Sequence, residues 1–208
     1  MESSPSGLCW RGRTMSRAVT TFTPPDPPKT TRSTATRARL LQAAADLFLA
    51  NGYEAVSMND VADRAGITRA GLYRHYRSKG QLLVDVIRWK YRQFEQAPAF
   101  LDAIAEPKSA ISLLWSDDGR DVRLLVTDAA AAARHDPEVL AGMAALDADR
   151  RAAVTSRLEG LPADAEAVAW LILGLASGIG MREAIGTPRP DAARLEPALA
   201  RLIDALLD

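Results

Sequence analysis

Between residues 69 and 79 the chain places Arg69, Tyr73, Arg74, His75, Arg77 and Lys79, a concentration of cationic and hydrogen-bond-donating side chains. On a helix, Arg69, Ala70, Tyr73, Arg74 and Arg77 project one way, while Leu72 and Tyr76, four apart, share the opposite face. That division suits a helix laid in the major groove of duplex DNA. A guanidinium such as that of Arg69 can read guanine through a bidentate contact, and Arg74 can do the same or take a phosphate. Tyr73 and His75 have the reach for phosphate oxygens. Catalytic chemistry finds no comparable support. The histidines are His75 and His135, with no Cys or Glu at metal-ligand spacing around them. His135 sits beside Asp136-Pro137 at a helix start, where capping explains the pair. Gly174, Gly178 and Gly180 lie in a helix-like stretch and serve close packing rather than a phosphate loop. Neither a catalytic residue, a metal nor a cofactor is expected.

The elements that must hold this face are legible in the preceding residues. Ser57 can cap a helix, and Asp60 stands where a capping-box acid reaches back. Met58, Val61, Ala62 and Ala65 then fall at i, i+3, i+4, i+7 spacing. Gly66 follows, able to take the left-handed conformation that ends a helix, and Thr68 caps the next one. Upstream, from Thr36, Leu40, Leu41, Ala44, Leu47 and Phe48 form one stripe, ended by Asn51-Gly52. Downstream, Ser78 with Gln81 forms a second capping box, opening a long helix that carries Leu82, Leu83, Val86, Ile87 and Tyr91.

Residues 37 to 83 resemble the DNA-binding domain of the tetracycline-repressor (TetR) family of bacterial transcriptional regulators. The resemblance rests on Leu47-Phe48, Gly52-Tyr53, Ser57, Val61-Ala62, Ala65-Gly66, Leu72-Tyr73, His75-Tyr76, Ser78-Lys79 and Leu82-Leu83, in order and without a gap. Gly80 departs from it, since the family usually carries an acid there. The resemblance implies that Lys79 holds backbone phosphate at a helix N-terminus, and that Thr68, Ala70 and Gly71 let the helix approach closely. With Ser57 and Met58, the expected DNA-binding set is Ser57, Met58, Thr68, Arg69, Ala70, Gly71, Tyr73, Arg74, His75 and Lys79. It also implies that the helix from Ser78 is the lever joining two domains.

The 208 residues, 48% hydrophobic, can bury a sizeable core. The formal net charge of zero hides an asymmetry: residues 1–92 carry 15 Lys/Arg against 7 Asp/Glu, and the remainder the reverse excess. A polyanion partner for the first half fits that distribution. The single cysteine, Cys9, excludes an internal disulfide framework. The longest apolar stretch, Ala163 to Met181, is broken by Asp164, Glu166 and Ser177, so no membrane partner is expected and the cytoplasm is the expected location.

An all-α, two-domain chain is expected. Residues 1–35, rich in Ser, Thr, Pro and Arg, read as a disordered basic arm, with Met15 an alternative start. Residues 36–82 form the helix-turn-helix domain, and 83–208 a helical ligand-binding and dimerisation domain. Turn signals at Pro98, Glu106-Pro107, Asp117-Asp118-Gly119, Asp136-Pro137, Gly160-Leu161-Pro162 and Gly186 to Pro190 punctuate the second domain. Pro197 marks the first turn of the last helix, or a kink in one begun near Asp191. The resemblance implies an inducer pocket, for which Trp89, Phe94, Phe100, Leu114, Trp115, Met143 and Trp170 are the larger apolar candidates. Few charges interrupt the apolar stripes, which suits an apolar or amphipathic small molecule.

From Ala163 to Ala184 apolar residues surround the helix, and from Leu195 to Leu207 a second stripe follows. Trp170, Gly174, Gly178, Leu199, Leu202, Ile203 and Leu206 are expected to pair two copies into a four-helix bundle. The expected function is a homodimeric, ligand-responsive repressor of a palindromic operator. The alternatives are an architectural DNA binder without a small-molecule switch and a helical enzyme with a borrowed DNA-binding domain. The missing catalytic constellation weighs against the latter.

Overall fold

The computed structural model describes residues 31–96, 116–160, 163–188 and 190–207, and the described residues are helical with no strand. The elements are α1 (Thr31–Asn51), α2 (Met58–Ala65), α3 (Arg69–His75), α4 (Lys79–Gln96), α5 (Asp117–Ala132), α6 (Pro137–Leu158), α7 (Ala165–Ala184) and α8 (Ala192–Leu207). The all-α architecture expected from the periodicity is what is found. Helix α1 starts at Thr31, five residues before the start expected at Thr36. Its first turns are polar and carry no apolar stripe, yet extending a helix already nucleated by packed turns costs little.

The first three helices close on α4. Leu40, Leu41, Ala44 and Phe48 of α1 meet Val61 and Ala62 of α2, Leu72 and Tyr76 of α3, and Leu82, Leu83 and Ile87 of α4 in one buried cluster. That cluster continues without interruption into Leu125, Ala129, Val139 and Leu146, so α1–α4 share one core with α5 and α6. Helix α4 packs on α1, α5 and α6, and α7 packs on α5 and α6.

Helices α4 and α6 run side by side in the same direction and interlock through glycines. A Cβ at Gly80 would stand 2.7 Å from Asp136 Oδ2 and 2.8 Å from Val139 Cγ2, and one at Gly142 would stand 2.8 Å from Val84 Cγ2. Each helix thus yields a side chain's space to the other. Further along, the Arg150 guanidinium lies 3.5 Å over the Tyr91 ring and bonds Glu95 at 3.0 Å. Ser78 Oγ donates to Glu138 at the opposite end of the seam.

Helix α5 is capped by Ser116, which accepts from Gly119 N–H at 3.1 Å, so Asp117-Asp118-Gly119 is a first helical turn rather than the expected break. Acids are favoured there by the helix dipole. The pair α5–α7 is fastened by a buried bidentate bridge, Arg123 Nε to Glu183 Oε2 at 2.8 Å and Arg123 Nη2 to Oε1 at 2.9 Å. Gly180 allows that approach, since a Cβ there would meet Arg123 Cβ at 2.9 Å. Asp136 and Asp164 cap α6 and α7 as their sequence contexts predict. In α8, Pro197 falls inside the helix, which begins at Ala192, so the first-turn reading is corrected in favour of an interior proline.

Helix α7 is long and apolar enough to cross a membrane by length and composition. This modifies the expectation drawn from its polar breaks. It packs on α5 and α6 through Val168, Ala169 and Gly180, and among the described residues its other side is left uncovered.

Candidate nucleic-acid interface

The geometry of α2, turn and α3 is set by local chemistry. Ser57 Oγ accepts from Asp60 N–H at 3.2 Å, and Asp60 Oδ2 accepts from Ser57 N–H at 2.8 Å, completing the capping box. The hydroxyl and the amide hold the Asp60 carboxyl below its ordinary pKa. Gly66 ends α2 at φ 65°, a left-handed conformation costly for other residues, and Ile67 N–H returns to Ala62 O at 3.0 Å. Thr68 Oγ1 accepts from Gly71 N–H at 3.1 Å and starts α3. At the second box the reach is one residue longer than expected. Gln81 N–H donates to Ser78 Oγ at 2.9 Å, but Gln81 Oε1 accepts from Arg77 N–H.

Leu72 and Tyr76 are buried, and Arg69, Ala70, Tyr73, Arg74 and Arg77 are exposed. The Arg69 guanidinium stands 5.5 Å from the Tyr73 ring centroid, a cation–π contact that limits how far it can swing. A cleft of about 380 Å³ opens beside them, lined among others by Glu54, Ser57, Met58, Arg69, Tyr73 and Lys79. Five of the expected DNA-binding residues therefore share one concavity, with two cations against the single carboxylate of Glu54.

Lys79 is half-buried at the first residue of α4. Its Nζ donates to Tyr53 O at 3.0 Å and Glu54 O at 3.2 Å, 4.2 Å from the Tyr53 ring centroid. It fastens the loop after α1, and an ammonium has three donors, so one remains for an oxyanion in the cleft. Two expected contact residues expose little surface, Met58 at the edge of the cleft and Gly71 within α3. Met58 and Gly71 are buried. Met58 belongs to the inward stripe of α2, and a Cβ at Gly71 would stand 3.2 Å from Thr68 Oγ1, so its small size serves the cap of its own helix. His75 is half-buried at the end of α3.

The head is also tied to the second domain. Tyr53 N–H donates to Asp128 Oδ2 of α5. Burial pushes the Tyr53 phenol up to about 12, and Asp136, Glu54 and Glu138 add to that rise. No local pattern in the sequence marks the partners of Asp128 and Glu138, because they lie 75 and 60 residues away.

In the second domain, Trp89 and Met143 pack partly buried against the core, and Phe94 is half-buried. Phe100, Leu114 and Trp115 lie outside the described residues. Trp170 is 62% exposed. Leu171, Met181, Ile185 and Leu202 are exposed with it. A Cβ at Gly174 or Gly178 would meet nothing within 4 Å. Leu199, expected at the interface, is buried within its own chain, because α8 turns it inward. The side chains of Ile203 and Leu206 lie outside the described residues. Among the described residues no His, Cys, Asp or Glu cluster could hold a metal ion.

A short capped helix pair, its second member carrying an outward Arg–Tyr face, set on a long helix that enters a second helical domain: this is the architecture of a helix-turn-helix protein. Residues 40–86 match the family model described as "Bacterial regulatory proteins, tetR family". The likeness to that family is carried by this domain. It is 35% identical over 83 residues to the HTH-type transcriptional repressor KstR2 of Mycolicibacterium smegmatis, covering 38% of this chain and 39% of that one. The shared part is thus about two fifths of the relative. Two solved structures share the wider fold. A transcriptional regulator from Rhodococcus sp. Rha1 has a TM-score of 0.67 at 20% identity, covering 82% of this chain and 95% of that one. The multidrug binding protein EbrR complexed with ethidium has a TM-score of 0.62 at 20% identity, covering 81% and 98%.

Proposed function

We propose that the chain is a homodimeric transcriptional repressor of the cytoplasm that binds a palindromic operator and is released by a small apolar or amphipathic molecule. The observation that carries the reading is the exposed Arg69–Tyr73–Arg74 face beside the cleft holding Lys79. In it Arg69 reads a base edge, Tyr73 and Lys79 take phosphates, and Ser57, Thr68, Ala70 and His75 frame the contact. Met58 and Gly71 act from behind by holding the two helices. The uncovered apolar side of α7, with Trp170 and Met181 more than 60% exposed, supports a second copy seated there. The domain division at α4 is part of the same reading, with the ligand received by the second domain. The complex of EbrR with ethidium supports a fold able to hold such a molecule. Ligand binding acts on the spacing of two heads through α4, with a coupling of typically about 1–3 kcal/mol.

The test is a footprint on the DNA flanking the chain's own gene, followed by titration of Arg69→Ala against point variants of the protected site. Arg69→Ala is expected to lose about 1–3 kcal/mol and relax preference at one base position in each half-site. No protected palindrome, or unchanged discrimination at every base, overturns the reading.

A further inference from the structure

Three guanidiniums gather where α1 passes α4, on residues that the DNA-reading face does not use. Arg37 Nε donates to Tyr76 Oη at 3.1 Å, and Arg37 Nη2 lies 2.6 Å from Asp85 Oδ2. Arg88 Nη1 meets the other oxygen of the same carboxylate at 2.8 Å. Arg92, one turn further along α4, has no hydrogen bond or ion pair among the described residues. It is half-buried, and it feels Arg37 and Arg88 as like charges, with Asp85 the compensating one. Burial first, and then those two guanidiniums, push its pKa down. Among the described residues the three positive charges are therefore answered by one carboxylate, and the side chains of Arg37 and Arg88 keep 34% and 28% of their surface open to an incoming group.

An unpaired, partly desolvated guanidinium beside two others is costly as it stands, and a surplus of two charges is matched by a dianion. A phosphate group carries about −1.5 to −2 at neutral pH and offers three acceptor oxygens, which planar guanidinium forks meet in pairs. A single carboxylate leaves one charge unanswered. Operator DNA does not fit the place. Arg92 lies 13 residues beyond Lys79 on α4, which is about 20 Å of helix away from the cleft. We propose that Arg37, Arg88 and Arg92 form a binding site for a small phosphate-bearing anion at the α1–α4 seam, separate from the DNA-reading face. Its occupation joins α1 to the middle of α4, the two helices that set the pose of the head.

The test uses the full chain and inorganic phosphate, against sodium chloride at matched ionic strength, read by thermal unfolding. Wild type is expected to show a saturable rise, on the order of 3–5 °C at ten times the dissociation constant. Arg92→Gln is expected to lose that rise. It should unfold at or above the wild-type temperature without phosphate, because a repelled charge has gone. Lys79→Gln, altered at the DNA cleft and at the loop after α1, is expected to keep the rise, measured from its own phosphate-free unfolding temperature. The slope of log affinity against log salt for a non-specific duplex should be the same for Arg92→Gln and wild type. No rise beyond chloride, an equal rise in Arg92→Gln and wild type, or a lowered DNA salt slope in Arg92→Gln each overturns the assignment.

Discussion

The backbone N–H of Tyr53 donates to Asp128 Oδ2 at 2.9 Å, tying the loop that follows α1 to the middle of α5 across 75 residues of chain. Lys79 grips the carbonyl of the same residue. The peptide groups flanking Tyr53 are thus held by one side chain from each domain. Asp128→Ala leaves that amide without its charged acceptor and is expected to cost about 1–3 kcal/mol. Asp128→Asn, which keeps an acceptor oxygen, should cost less. Denaturant unfolding measures both, and equal stability of Asp128→Ala and wild type would show that the tie contributes nothing.

Lys79 holds the loop and also faces the cleft, and the two roles separate experimentally. Lys79→Gln is expected to lower thermal stability, because the Tyr53 and Glu54 carbonyls lose a charged donor. It should also reduce the salt slope of DNA binding by about one unit for each phosphate that a subunit no longer neutralises. A variant that is less stable yet keeps the wild-type slope would leave Lys79 a loop fastener alone.

A Cβ at Gly178 would meet nothing within 4 Å among the described residues, so a larger side chain there is expected to leave the fold of a single copy intact. Gly178→Trp is expected to retain the wild-type circular dichroism while shifting the sedimenting mass from twice 22.4 kDa to one copy. Operator affinity should fall with it. A wild type that remains monomeric at tens of micromolar removes the interface, and a Gly178→Trp dimer places it elsewhere.

The Tyr53 phenol, pushed up to about 12 by burial and by the carboxylates of Asp136, Glu54 and Glu138, gives a pH signature. Below about pH 10 the group is protonated in folded and unfolded chains alike, and its contribution is fully present. Between about 10 and 12 the unfolded chain releases the proton first, so stability falls as pH rises. Tyr53→Phe is expected to flatten that part of the stability curve. An unchanged alkaline slope in Tyr53→Phe would mean that the phenol ionises equally in both states.

Much of the reading head is written locally. Ser57 and Asp60, Gly66, and Thr68 each act on a neighbour within three or four residues, so type and spacing suffice to place two helices and their turn. The interlocks escape that kind of reading. Gly80 beside Asp136, Gly142 beside Val84 and Gly180 beside Arg123 look like ordinary helix glycines until the partner helix is in place. Arg123 and Glu183 give no sign, sixty residues apart, that they pair. Helix α7 illustrates the limit of a hydrophobic pattern. Apolar side chains all round it promise burial on both sides, yet the described residues cover the side of Val168 and Ala169 and leave Trp170 outside. The pattern records what must be covered and is silent on which molecule does the covering.

Gly80 also bears on how freely heads and bodies can be exchanged among related regulators. The space of a side chain at that position is taken by the Asp136 carboxylate and a methyl of Val139, both from the start of α6. A head bearing an acid there would bring carboxylate against carboxylate as well as atom against atom. A chimera joining such a head to this second domain therefore requires α6 to change with it, at Asp136 first. The boundary between the two halves is a matched surface rather than a neutral joint, and substitutions at residues 80 and 136 are expected to be tolerated only in pairs.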